Sequence, residues 1–185
     1  MKIIPLKSEA FPFPRRLISD RSNTGGVIQT MTDDKFAQAI LELTECMYRV
    51  CYSQLYQAAD REDAVQEALK RAWEKRHTLR DEGALKGWLI RILLNECHNI
   101  QRKSRLSVPM EHLSLPPPPD ADGTLHDLIL SLPEKYRTPV VLMFMEGMTA
   151  AETAKAMRIP QGTVHSRVHR ARQLLREKWE EAQQE

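Results

Sequence analysis

The sequence has few cysteines, glycines and aromatic residues. Its three cysteines, Cys46, Cys51 and Cys97, form no CxxC pair in 185 residues. An odd number of cysteines without metal-ligand spacing argues against a disulfide framework and favours reduced thiols in a cytoplasmic protein. Seven glycines and 6% aromatic residues favour a helical protein over a β-sandwich.

Long apolar runs are also lacking, and neither charge sign dominates. No run approaches the length of a membrane span, and Met1–Ile4 is followed at once by Pro5, Pro12 and Pro14, so we expect neither a signal peptide nor a membrane span. The net charge is only +2, so any binding to nucleic acid must come from local basic patches. Two such patches are present: Arg102, Lys103 and Arg105, and Arg167, Arg170, Arg172, Arg176 and Lys178.

No catalytic constellation is recognisable in the sequence. The histidines are scattered without a base–nucleophile–orienter set: His77, His98, His112, His126, His165 and His169. Cys97-His98 is the closest approach to a metal or nucleophile fragment, and we interpret it as a small buried residue beside a polar one. We therefore expect a binding protein rather than an enzyme, without a metal or cofactor.

A helix-turn-helix pattern lies in the last quarter of the chain. Thr149 and Glu152 have the spacing of a capping box, in which the threonine oxygen accepts from the amide three residues on and the glutamate reaches back. We expect a short first helix over Ala150–Met157 and a turn over Arg158–Gln161. Pro160 suits the opening of the next helix because its missing N–H would be unpaired there anyway.

The second helix of this pattern separates an apolar stripe from a polar and basic face. Apolar residues at i, i+4, i+7 and i+11 predict the buried side: Val164, Val168, Ala171 and Leu175. The rest of the surface carries donors that suit base edges and phosphates in a major groove: Thr163, His165, Ser166, Arg167, His169, Arg170, Arg172 and Gln173. A solvated helix in an α-bundle is the alternative. The capped first helix and the proline-containing turn favour DNA binding.

The first half of the chain predicts an extension followed by one small helical domain. Residues 1–31 hold scattered proline, glycine and charge, so we expect a disordered extension, with Met31 as a possible alternative start. Residues 32–103 show three helical stripes that can close one core, with Asp60 as the predicted N-cap of the second. The stripes are Phe36, Ile40, Leu43, Met47 and Val50; Val65, Ala68, Leu69, Ala72 and Trp73; and Leu85, Trp88, Leu89 and Ile92.

A proline-rich linker and a second helical domain complete the predicted organisation. Residues 104–123 form the linker, because Pro116–Pro119 favours extended polyproline geometry. Residues 124–185 form the second domain, in which Pro139 should remove one backbone hydrogen bond or kink its helix. The expected fold is all-α, with two small helical domains joined by the linker and a C-terminal helix-turn-helix.

Segments in both halves resemble the ECF (extracytoplasmic-function) sigma factors, the smallest members of the sigma-70 family. DREDAVQEALKRAW at 60–73 and GWLIRILLNECHNIQRK at 87–103 are similar to region 2 of that family. LPEKYRTPVVLMFMEGMTAAETAKAM and GTVHSRVHRAR are similar to region 4. The resemblance covers roughly Thr32 to Glu180, with both halves in the family's order and separation.

The resemblance implies three binding surfaces and several partners. A polar and acidic helix face would dock on the β′ clamp helices of core RNA polymerase: Glu62, Asp63, Gln66, Glu67 and Lys70. A second face would read the −10 element as unpaired strand, with the loop 77–84 receiving a flipped base: Arg91, Asn95, Asn99, Arg102 and Arg80. The last helix would enter the −35 major groove. Further implied partners are the β flap and an anti-sigma factor.

A stand-alone helix-turn-helix regulator is the rival interpretation. Such a protein would bind duplex DNA on its own, with the first domain serving for oligomerisation or sensing. The face at 60–73 discriminates between the two, because only a sigma factor needs it for polymerase binding.

Overall fold

The computed structural model describes residues 31–107 and 125–182. These residues form α-helices joined by short turns, with no strand among them. The helices are α1 (Asp33–Glu42), α2 (Thr44–Tyr52), α3 (Ala58–Lys75), α4 (Leu85–Ser107), α5 (Leu125–Leu130), α6 (Glu134–Val140), α7 (Ala150–Met157) and α8 (Gln161–Ala182). The all-α prediction is confirmed, whereas residues 1–30 of the predicted extension 1–31 and residues 108–123 of the predicted linker 104–123 lie outside the described ranges.

The first apolar stripe folds as two helices rather than one. The N–H of Leu43 donates to the carbonyl of Ile40 at 3.1 Å, a tight i→i+3 bond that separates α1 from α2. Phe36 anchors this part of the core between the rings of Trp73 and Trp88, each with its centroid 6.2 Å away. Such ring pairs add stability beyond the area they bury.

Two predicted helix limits differ in the structure. Helix α3 begins at Ala58, because the carbonyl of Gln57 already accepts the N–H of Arg61 at 3.2 Å. Asp60 therefore lies in the first turn rather than at the N-cap, where its negative charge still suits the helix dipole. Helix α4 continues past Lys103 to Ser107, into the segment expected to be linker.

Pro139 removes one backbone donor from its helix, as expected. It lies within α6, and directly after that helix the backbone widens into a π-helical turn, Val141–Met145. The N–H of Glu146 donates to the carbonyl of Val141 at 3.0 Å, the i→i+5 bond of such a turn. Gly147 follows with a φ of +67°, a backbone conformation that suits glycine because it has no Cβ.

The two halves of the chain share one buried core. The apolar residues of α1–α4 form a continuous cluster with those of the second half, including Leu132, Leu142 and Met148. Polar contacts accompany this packing: the buried Gln54 donates from Nε2 to Oγ1 of Thr138 at 3.0 Å. In this state the halves are therefore packed against each other.

Glu146 is the charged centre of the contact between the halves. Its side chain is 1% exposed and accepts from Arg49, with Nε–Oε1 at 2.7 Å and Nη2–Oε2 at 3.1 Å. Lys86 reaches the same residue, with Nζ 3.7 Å from Oε2 and a hydrogen bond to the backbone carbonyl. Burial alone would raise the pKa of Glu146, but hydrogen bonds from Arg49 and Cys46 and the nearby positive charges lower it.

Candidate functional site

The helix-turn-helix begins with the predicted capping box. The N–H of Glu152 donates to Oγ1 of Thr149 at 3.2 Å, and Oε2 of Glu152 accepts from the N–H of Thr149 at 2.8 Å. The side-chain hydrogen bond from Thr149 lowers the pKa of Glu152, so the carboxylate stays ionised at neutral pH. Reciprocal capping satisfies two backbone donors and fixes the start of α7.

The turn between α7 and α8 is set by backbone geometry at two residues. Arg158 adopts the left-handed conformation with φ 55°, and its N–H bonds back to the carbonyl of Ala154. Pro160 then accepts from Thr163 N at 2.9 Å and Val164 N at 3.2 Å, which starts α8. The predicted role of Pro160 at the helix opening fits these contacts, whereas an arginine in a position that favours glycine was not expected.

Helix α8 buries the predicted stripe and leaves the opposite face in solvent. Val164, Val168 and Ala171 are buried, and Leu175 is half-buried. Five of the predicted DNA-contacting residues are exposed and two are half-buried: His165, Ser166, His169, Arg170 and Arg172, and Thr163 and Arg167. The structure thus brings these seven side chains to the accessible surface of one helix.

Two arginines of α8 are held in different ways. Arg170 donates from Nη1 to Oε1 of Gln173 at 3.0 Å, a neighbour on the same exposed face. The guanidinium of Arg172 lies over the ring of Phe144, 5.3 Å from its centroid. This cation–π contact holds the Arg172 side chain against Phe144. Arg170 therefore lies on the exposed face beside Gln173, whereas Arg172 lies against Phe144 of the π-helical turn.

The predicted polymerase-binding face of α3 is accessible. Glu62, Asp63, Gln66 and Lys70 are exposed, and Glu67 is half-buried. Glu67 accepts from Nε of Arg71 at 3.0 Å, and Nζ of Lys70 lies 3.8 Å from its other oxygen. Both contacts connect neighbouring turns of α3, so they add only modestly to the stability of that helix. The face therefore offers carboxylates that a positive partner surface can approach.

The predicted −10 face lies along α4. Its four members are spaced three or four residues apart and are half-buried or exposed: Arg91, Asn95, Asn99 and Arg102. Asn99 donates from Nδ2 to Oε2 of Glu96 at 3.3 Å. Arginines at both ends of the row give it the positive border that a nucleic-acid strand requires.

The loop between α3 and α4 borders a cavity of about 230 Å³. Arg80 lines the cavity, together with His77 from the same loop and Phe36 from α1. Arg76, at the start of the loop, pairs with Asp33 through two contacts of 2.7 and 3.1 Å. The hydrogen bond from Arg76 lowers the pKa of Asp33 and so preserves this ion pair at neutral pH.

Three residues that join elements of the structure were not identified from the sequence. Arg71 and Glu96 form an ion pair between α3 and α4, with Nη1 3.0 Å from Oε1, and Glu146 joins the two halves. A signal was available for Glu96: a glutamate set among apolar positions of α4 needs a buried partner. No comparable pattern identifies Glu146, because its partners lie far away in sequence.

The described helices contain no segment long and apolar enough to cross a membrane. Among the same residues, no group of three or more histidine, cysteine or acidic side chains is arranged to hold a metal ion. Cys51 and Cys97 are buried with their sulfur atoms 3.7 Å apart.

Comparison with known proteins gives matches to both halves of the chain. The family description "Sigma-70 region 2" matches residues 43–106, and "Sigma-70, region 4" matches residues 122–175. The chain is 30% identical over 164 residues to the ECF RNA polymerase sigma factor SigW of Bacillus subtilis, covering 77% of this chain and 88% of SigW. It is 35% identical over 125 residues to the RNA polymerase sigma-E factor of Streptomyces coelicolor, covering 64% and 71%.

A solved structure shares the arrangement of helices. It is the sigma factor RpoE of Bartonella quintana in complex with the anti-sigma factor NepR, with a TM-score of 0.64 and 27% sequence identity. The match covers 79% of this chain and 96% of that one, so it includes both helical halves.

Proposed function

Because the chain belongs to the ECF RNA polymerase sigma factors of the sigma-70 family, we propose that three of its helix faces each bind a different partner during transcription initiation. As a sigma factor, the chain joins core RNA polymerase and directs it to promoters. In our assignment, α3 binds the polymerase, α4 and the loop before it bind the −10 element, and α8 binds the −35 element. We assign residues 32–103 and 124–185 as the two functional domains, with the last turn of α4, up to Ser107, extending into the segment 104–123 between them.

The observation that carries the promoter assignment is the exposed polar face of α8. A buried stripe and a capped, proline-opened turn orient this helix so that its donors face outward. Such a helix can enter a major groove with short donors and arginines on base edges. We assign Ser166, His169 and Arg170 to bases, and Arg167 and Arg172 to phosphate, with Thr163 and His165 at the edges of the contact.

The −10 assignment is supported by the amides and arginines of α4 and by the adjacent loop cavity. Asparagine can both donate to and accept from an unpaired base, and arginine balances the phosphate charge. The cavity beside Arg80 has a volume of about 230 Å³, and its wall combines apolar side chains with two arginines and two carboxylates, Arg76, Arg80, Asp33 and Glu82. We infer that Arg91, Asn95, Asn99 and Arg102 bind the strand beside it.

The polymerase assignment is supported by the exposed carboxylates of α3. Glu62 and Asp63 are exposed, and Glu67 is half-buried. Opposite charges across an interface speed association and exclude wrong partners. We infer that this face meets the β′ clamp helices and that the second half meets the β flap.

The remaining proposals concern partners and location. We propose that an anti-sigma factor binds this chain, as NepR binds the related RpoE. We place the protein in the cytoplasm, where core polymerase and promoter DNA are found. We further propose that it catalyses no reaction of its own and acts only by binding.

Co-purification with core polymerase tests the polymerase assignment. The double variant Asp63→Arg, Glu67→Arg should bind core polymerase at least tenfold more weakly, because two attractive charges become repulsive. A matched double reversal on the exposed face of α1, Asp34→Arg with Glu42→Arg, should bind like the wild type. Retention of the α3 double variant at the wild-type level would contradict the assignment of this face.

A further inference from the structure

Four side chains form a continuous line of contacts from α3 to α4. Oε1 of Glu67 accepts from Nε of Arg71 at 3.0 Å, and Nη1 of Arg71 lies 3.0 Å from Oε1 of Glu96. Oε2 of Glu96 then accepts from Nδ2 of Asn99 at 3.3 Å. The line begins on the proposed polymerase face and ends at a residue of the proposed −10 face.

Glu96 is the buried centre of this line. Its side chain is only 6% exposed, so its carboxylate cannot turn to water for replacement partners. Each of its two oxygens has one neighbour: Arg71 lies at Oε1 and Asn99 at Oε2. Oε1 is held by the ion pair with Arg71 but accepts no hydrogen bond, whereas Oε2 accepts from Asn99, so rotation of the carboxylate would break both contacts.

The buried carboxylate fixes the orientation of the Asn99 amide. An ionised carboxylate can only accept hydrogen bonds, so the NH2 group of Asn99 must face Glu96 and its oxygen Oδ1 must face away. The side chain of Asn99 is half-buried on the outer face of α4, so Oδ1 is the group it offers to an incoming strand. The opposite orientation would place Oδ1 against Oε2, oxygen against oxygen.

From this geometry we propose that Glu96 and Arg71 are positioning residues that present Oδ1 of Asn99 as a hydrogen-bond acceptor, which makes one position of the −10 element selective for bases with an exocyclic amino group. Adenine, cytosine and guanine each carry such a donor. Thymine is disfavoured because its single N–H lies between two carbonyl oxygens, which Oδ1 would approach. The inference rests on the proposed assignment of the α4 face to the −10 element.

A −10 library transcribed by the reconstituted holoenzyme provides the test. At the position read by Asn99, the wild type should disfavour thymine by about two- to tenfold, the discrimination that one hydrogen bond supplies. Glu96→Gln should abolish or invert this preference, because a glutamine amide can donate to Oδ1 and let the NH2 of Asn99 turn outward. Affinity for core polymerase should stay unchanged, which a general loss of structure would not allow.

Three further variants complete the experiment. Glu42→Gln removes an exposed carboxylate from α1 and should leave the library profile as in the wild type. Asn99→Ala should erase the preference at the same position that Glu96→Gln changes. Arg71→Gln releases Oε1 of Glu96 and should broaden that preference by a smaller factor, so it serves if Glu96→Gln does not fold.

The possible outcomes separate this inference from the function on which it rests. If Asn99→Ala alters one −10 position while Glu96→Gln and Arg71→Gln keep the wild-type profile there, the positioning role is refuted and the −10 assignment stands. If Asn99→Ala leaves every position unchanged, both the positioning role and the −10 assignment of α4 are refuted. A joint change at one position in all three variants supports the inference.

Discussion

Removing the Glu146 carboxylate should loosen the contact between the two halves of the protein. In Glu146→Ala the bidentate contact with Arg49 and the ion pair with Lys86 are both lost. Truncating one partner of a fully buried ion pair costs about 3–5 kcal/mol, because the other charge stays buried. Here the Arg49 side chain is 48% exposed and that of Lys86 is 37% exposed, so both can regain water.

The expected loss is therefore smaller than for a buried pair. Two charge-assisted hydrogen bonds with partly exposed donors suggest about 2 kcal/mol, which shifts an open–closed equilibrium by roughly 30-fold. Glu45→Ala is the matched control, since Glu45 pairs with the same Arg49 at 3.8 Å but is 77% exposed and lies in the same helix. We expect the control to change stability by at most about 0.5 kcal/mol.

The same contact should respond to acid. The pKa of Glu146 is lowered in the folded state, so this carboxylate contributes stability that is present above its ordinary pKa of 4.5 and is lost as the pH falls through the folded value. The contact should therefore be intact at pH 7 and weaken only below about pH 4.5. Glu146→Ala should remove this acid-dependent part.

Small-angle X-ray scattering and hydrogen exchange measure the opening directly. Glu146→Ala should have a larger radius of gyration than the wild type and faster amide exchange at the facing surfaces of α4 and α7, whereas Glu45→Ala should match the wild type. Identical scattering and exchange for all three proteins would refute the role of Glu146 in holding the halves together.

The remaining predictions concern the helix-turn-helix. Thr149→Ala removes the hydroxyl that caps α7 and should lower the free energy of unfolding by about 1 kcal/mol, measurable by urea denaturation, with no loss expected from Ser at the same position. Arg170→Ala should relax the preference at one or two −35 positions in a selected promoter library, since a bidentate arginine–guanine contact supplies about 1–3 kcal/mol of discrimination. Arg172→Ala should weaken binding to all promoters about equally and reduce its salt dependence; an altered −35 sequence with Arg172→Ala and none with Arg170→Ala would reverse these assignments.

The contact between the two halves around Glu146 affects how the protein can bind two promoter elements at once. Elements centred at −10 and −35 lie about 25 base pairs apart, which is roughly 85 Å of duplex at 3.4 Å per base pair. The two halves here pack against each other through α4 and α7 around Glu146. We therefore expect the contact to break when both elements are bound, and Glu146→Ala to favour that state.

Local features of this fold could be predicted from sequence because they depend on neighbouring residues. The capping box of Thr149 and Glu152 and the buried stripe from Val164 to Ala171 both follow from spacings within a few turns. The boundary between α1 and α2 at Leu43 was not predicted, because the apolar period continues through it without a glycine or proline. The early start of α3 escaped because backbone carbonyl bonding at Gln57, rather than an aspartate cap, begins the helix.

Long-range contacts could not be predicted from local pattern. Glu146 lies beside the π-helical turn, and its partners Arg49 and Lys86 come from α2 and the start of α4. Nothing in the spacing of a single helix joins such residues. Asn99 could be named as a candidate base-reading residue, but the orientation of its amide depends on Glu96 and Arg71, which only the packing of α3 against α4 brings together.

The most direct test of the central claim is run-off transcription by purified core polymerase on a library of two-part promoters. We expect this chain to enable initiation from a restricted set of promoters that share one −10 and one −35 sequence. The isolated chain should bind duplex DNA poorly, because its halves lack the spacing that polymerase imposes. Tight binding of the isolated chain to a palindromic duplex, with no promoter-specific transcript from core polymerase, would contradict this claim.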